Sequence, residues 1–85
     1  MSDSVTTLSI AEDVAARIGG APEIRNDDNY GTASVVRING GERWAAIGRV
    51  AGGFDVVTGS STSPNKTVGP VSVNEATDIA VRHLS

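Results

Sequence analysis

The chain has no cysteine, one histidine and only three aromatic residues among its 85. Without cysteine there is neither a disulfide nor a thiolate metal site, and nothing calls for an oxidising compartment. With His83 as the sole imidazole, a metal site would have to rest on carboxylates. Tyr30, Trp44 and Phe54 are the only aromatics, so the core has to be built from valine, isoleucine and alanine, with Trp44 and Phe54 as its large pieces. No apolar run approaches the roughly 20 residues that span a membrane. Residues 1–7 are polar and lack the basic-then-apolar order of a secretory signal. These absences lead to the expectation of a cytoplasmic protein with no metal and no cofactor. Asn65-Lys66-Thr67 matches a glycosylation sequon, which without a secretion signal is read as chance.

Hydrophobic residues make up 39% and charged residues 20%, the balance of a globular domain and not of a disordered chain. A chain of this length forms one domain, residues 1–85, and buries roughly 60–65% of the surface its unfolded form exposes. The net charge of −3 is too mild for a polyanionic nucleic-acid mimic and opposite in sign to a basic nucleic-acid binder. Six of the seven basic residues are arginine, Lys66 being the exception. Such a bias fits a GC-rich coding genome, or a need for planar, bidentate contacts.

Two segments open with the same pattern, Ser9-Ile10-Ala11-Glu12 and Ser72-Val73-Asn74-Glu75. In each, the serine hydroxyl is placed to accept from the backbone N–H three residues on while the glutamate reaches back to the serine N–H. The first predicts a helix over 10–18, with Ile10, Val14 and Ile18 as its apolar stripe and Gly19-Gly20 and Pro22 as its stop. The second predicts a helix over 73–84, burying Val73, Ala76, Ala80 and Leu84. Between them residues 32–38, 42–50 and 54–58 have strand character, separated by Asn39-Gly40-Gly41 and Ala51-Gly52-Gly53. The expected fold class is therefore α+β in the order α-β-β-β-α, a three-stranded antiparallel meander with two helices packed on one face. Residues 1–8 are expected to be a flexible N-terminus. Residues 21–29 read as a connector with a short extended piece around Glu23-Ile24-Arg25. Residues 59–70 read as a long polar loop, either mobile, functional, or holding a short strand at Thr67-Val68.

If both hairpin loops have three residues, parity follows. Val36, Ile38, Trp44, Ala46, Val50, Phe54 and Val56 then share one face, which carries both large aromatics and no charge and should meet the helices. Val35, Arg37, Arg43, Ala45, Ile47, Arg49, Asp55 and Val57 share the other. A loop of two or four residues reverses one strand. On the second face Arg37 and Arg43 are expected to be cross-strand neighbours, with Arg49 opposite Asp55. Its apolar members rimmed by charge have the character of a contact surface. Either a partner meets this face, through Val35, Arg37, Arg43, Ala45, Ile47, Arg49 and Val57, or a helix or the long loop covers it.

Groups for catalysis are few, and no catalytic residue is assigned. His83 reads as a surface residue favourably placed at a helix C-terminus. Asn26-Asp27-Asp28-Asn29-Tyr30-Gly31 has the start of a calcium loop, but Arg37 stands where the twelfth-position glutamate belongs. In Ser60-Ser61-Thr62-Ser63-Pro64-Asn65-Lys66-Thr67 a lysine precedes a threonine, yet Asn65 replaces the glycine of a phosphate-binding loop.

The helix–three strands–helix order is similar to the topology of double-stranded RNA-binding domains. Those domains carry a lysine cluster at the start of their second helix, where this chain has Ser72-Val73-Asn74-Glu75-Ala76 and no basic residue. The likeness is one of order alone and does not imply RNA binding. The leading functional expectation is a small non-enzymatic protein-binding module: an accessory or regulatory subunit, or a phage- or virus-encoded inhibitor. It would act through the exposed sheet face or an edge strand, on another protein or on a second copy as a homodimer. The alternative is nucleic-acid binding through Arg37, Arg43 and Arg49.

Overall fold

A computed structural model describes residues 6–27, 31–38 and 41–85. They form a small α+β domain of two helices and one five-stranded antiparallel sheet. The elements run α1 (Thr7–Ile18), β1 (Ala21–Asp27), β2 (Gly31–Ile38), β3 (Arg43–Val50), β4 (Gly53–Ser60), β5 (Lys66–Val71) and α2 (Val73–Leu84). The strands lie side by side in chain order.

The α2 cap is as expected. Ser72 accepts from the Glu75 N–H at 3.2 Å, and Glu75 Oε1 accepts from the Ser72 N–H. At α1 the capping box sits three residues earlier than expected. Thr6 Oγ1 accepts from the Ser9 N–H and Ser9 Oγ accepts from the Thr6 N–H, each at 3.1 Å. The helix thus begins inside the stretch expected to be flexible. The added turn buries Thr7, whose hydroxyl pairs with that of Ser34 at 3.0 Å. Gly19 ends α1 in the left-handed conformation, φ 83°, its N–H bonding the Ala15 carbonyl.

The sheet has two strands more than the expected three. β1 occupies the supposed connector, and β5 the second half of the supposed loop. Both are edge strands, and residues 21–24 and most of β5 are exposed. Backbone pairing to a neighbour on one side places them in the sheet, and their Pro, Gly, Asn and Asp content gave little β signal. Between β4 and β5 only residues 61–65 remain. They are tightened by Ser60 Oγ, which accepts from the N–H groups of Thr62 and Ser63 at 3.3 and 3.0 Å.

The hairpin loops correct the expected parity. Ile38 pairs with Arg43, leaving four residues between the paired ends, and Val50 pairs with Gly53, leaving two. In the two-residue turn Gly52 has φ 90°, a conformation glycine adopts at no steric cost. Each loop departs by one residue from three. β3 is therefore reversed relative to the expectation, and the second departure restores β4 to its expected facing. Ala45 and Ile47 face the helices with Val36, Phe54 and Val56, and all are buried. Trp44, Ala46 and Val50 take the opposite face. From the helices come Ile10, Ala11, Val14, Ala15, Ala76, Ala80 and Leu84. Four of these seven helix residues are alanines, small side chains that permit close packing of helix on sheet.

Candidate functional site

Both helices pack on the same side of the sheet, α1 over β1 to β3 and α2 over β3 and β4. Among the described residues no helix or strand covers the other side. The strand register sets its members. Glu23 lies opposite Val35 and Val35 opposite Ala46. Ala46 in turn faces Val57, and Val57 faces Thr67. Beside this row Arg37 stands opposite Trp44, and Trp44 opposite Gly59.

Trp44 is half-buried because it lies flat over Gly59. A Cβ at that position would collide with the ring atoms Cζ2 and Cε2 and with Asn65 Oδ1. The glycine is thus a seat for the indole, and its place on the neighbouring strand is the signal that the sequence reading missed. Arg37 reaches Glu23 at 3.5 Å, with both side chains well exposed. An ion pair in that setting contributes under about 1 kcal/mol. Among the described residues the face therefore combines an indole, small aliphatic side chains, the Arg37–Glu23 pair and Asp55, which shares the parity of Val57 on β4. Val35 forms its floor at 3% exposure, and Ala46, Val50 and Val57 are half-buried.

The seven residues expected to form a binding face divide between the two sides. Val35, Arg37 and Val57 are on the uncovered side. Arg43, Ala45, Ile47 and Arg49 are on the helix side, with Ala45 and Ile47 fully buried in the core. Arg37 and Arg43 are not cross-strand neighbours, and Arg49 stands opposite Phe54, not Asp55.

The two arginines on the helix side lie at the ends of β3, where charge can reach the surface. Arg49 places its guanidinium 4.9 Å from the Phe54 ring centre, a cation–π contact. Arg43 lies under the end of α2, its Nη1 donating to the carbonyls of His83 and Ser85 at 3.2 and 3.1 Å. Those carbonyls are among the unpartnered acceptors of a helix C-terminus. His83 itself ties the same helix end to β4, its Nε2–H donating to the Gly59 carbonyl at 2.8 Å. These two residues act as a clasp for α2, a role that their separation in sequence hides.

An open depression of about 830 Å³ lies at this end of the molecule, bordered by Arg17, Glu23, Arg37, Arg43, Gly20 and Ser85. Its guanidinium groups are engaged: Arg17 with Asp13 at 3.3 Å, Arg37 with Glu23, and Arg43 with the α2 carbonyls. Of the acidic stretch 26–31, Asn26 and Asp27 end β1 and Gly31 begins β2; residues 28–30, like Asn39 and Gly40, lie outside the described residues. Among the described residues no three His, Asp or Glu side chains converge as metal ligands, and no helix is long and apolar enough to cross a membrane. No family model, curated protein or solved structure matches the chain.

Proposed function

We propose that this chain is a small non-enzymatic protein-binding module, in an accessory or regulatory role, whose contact surface is the sheet face opposite the helices. The observation that carries the reading is that this face, five strands wide, has no element packed on it among the described residues. Its centre is Trp44 with Val57 and Ala46, and its rim carries Arg37 and Glu23. Aromatic and arginine side chains are those that most often anchor protein interfaces. Support also comes from His83, the one imidazole, which is spent on a backbone carbonyl. The nucleic-acid alternative needed Arg37, Arg43 and Arg49 on one surface, and of these three Arg37 alone is on this one.

The test compares the wild-type chain with an Arg37→Glu/Val57→Asp variant as bait in lysate of the source organism. Neither position packs against the helices, and an unchanged far-UV circular dichroism spectrum checks that the variant stays folded. The proposal expects a protein that the wild type retains and the variant loses. If the same proteins are retained by both, or if nucleic acid is retained with an affinity that falls steeply with salt, the reading fails.

A further inference from the structure

The two edges of the sheet differ. β5 is six residues long, contains Gly69-Pro70, and its pairing with β4 shifts register between Phe54 and Val56. Irregular pairing is one of the means by which an edge is closed to a further strand. β1 pairs with β2 without interruption over seven consecutive residues, and among the described residues no strand lies on its other side. At its centre is Ile24, the one exposed large hydrophobic residue among those described, at 59%.

We infer that β1 is a self-pairing edge, joining β1 of a second copy in antiparallel register about Ile24. The backbone sets the phase. In an antiparallel ladder residues alternate between those bonded to the neighbouring strand and those turned away from it. Pro22 has no N–H to give, and proline in a sheet takes an outward-facing position on an edge strand. Pro22, Ile24 and Asn26 therefore present their backbone groups outward. With Ile24 opposite its own copy, the two Ile24 residues exchange both N–H···O bonds. Each Asn26 N–H meets the Pro22 carbonyl of the other copy. The missing proline donor forfeits one bond at each end and none at the centre.

The residue types along β1 agree with this register. One residue to either side, Glu23 stands opposite Arg25 of the second copy, and Arg25 opposite its Glu23, giving two opposite-charge cross-strand positions. A shift of one residue in either direction removes both. The two-fold axis is perpendicular to the sheet, so the helices of both copies lie on one side of a continuous sheet and the two exposed isoleucines cover each other. An interface this small is of the weak, concentration-dependent kind. The inference does not depend on the sheet-face proposal, with which it shares only Glu23.

The test is sedimentation velocity of the full chain over a wide concentration range. The wild type should move from its 8.7 kDa monomer mass to twice that value as concentration rises. Ile24→Lys, which sets two ammonium groups together on the axis, should remain monomeric throughout, with unchanged far-UV circular dichroism. Arg25→Glu should weaken association by about tenfold or more, and Glu23→Arg/Arg25→Glu should restore it. A wild type that stays monomeric overturns the inference. So does a dimer that survives Ile24→Lys, or a reversed-charge pair that fails to restore what Arg25→Glu removes.

Discussion

The indole of Trp44 lies across Gly59 on the neighbouring strand, so close that a methyl group at position 59 would overlap the ring. This contact holds Trp44 on the side of the sheet away from the helices. It also sends the next residue, Ala45, into the core. Gly59→Ala should therefore displace the ring and cost about 1–3 kcal/mol, the range for overpacking a filled site. Thermal melting together with the emission of the only tryptophan checks it; an unchanged melt and spectrum would deny the contact.

Ala45 and Ala46 are chemically identical neighbours on opposite faces of β3. Ala45 is fully buried between the helices and the sheet, whereas Ala46 is half-buried on the uncovered side. Ala45→Asp should cost about 3–5 kcal/mol or abolish folding, because it buries an unpaired charge. Ala46→Asp should cost about 1 kcal/mol or less. Chemical denaturation of the two variants gives the comparison, and equal losses would contradict the assigned faces.

At the far end of β3, removal of the Arg43 guanidinium leaves the His83 and Ser85 carbonyls without their donor. Arg43→Ala should lower stability by about 1–2 kcal/mol, discounted for partial exposure. His83→Ala should cost about 1 kcal/mol. The two losses should not add, since each change loosens the same turn of α2. A double-mutant cycle with no coupling would separate the two contacts.

Much of this fold is legible in the residues, and what is not has a physical cause. The Ser72 box, the Gly19 stop and the apolar stripes of both helices are local patterns that survive in the fold, whereas the equally local Ser9 box gives way to one at Thr6. Strands β1 and β5 are placed by backbone pairing at the sheet edges, which side-chain composition barely records. The facing of β3 depends on loop length: four residues before it and two after it, where three and three read equally well in the sequence. That single parity moved Arg43, Ala45, Ile47 and Arg49 out of the expected binding face and brought Trp44 into it. The Gly59 seat beneath Trp44 and the carbonyls beneath Arg43 are contacts between distant residues, with no spacing to announce them.

The α1 cap offers a similar contrast between neighbouring residues. Thr6→Ala should cost about 1 kcal/mol, as should Ser72→Ala on α2, because each removes the acceptor for an otherwise unpaired N–H. Glu12→Ala, at an exposed position one turn into α1, should change stability by no more than about 0.5 kcal/mol. Melting of the three variants checks the helix start; a large loss at Glu12 with none at Thr6 would place the start at Ser9.

The most direct measurement is a nuclear Overhauser spectrum of the labelled chain, read at the indole protons of Trp44. Cross-peaks from the ring to the Gly59 α-protons, with none to Ile10, Val14 or Ala80, are the result that the face assignment requires. Cross-peaks from the ring to those helix residues would turn β3 over and remove the surface on which the proposed function depends.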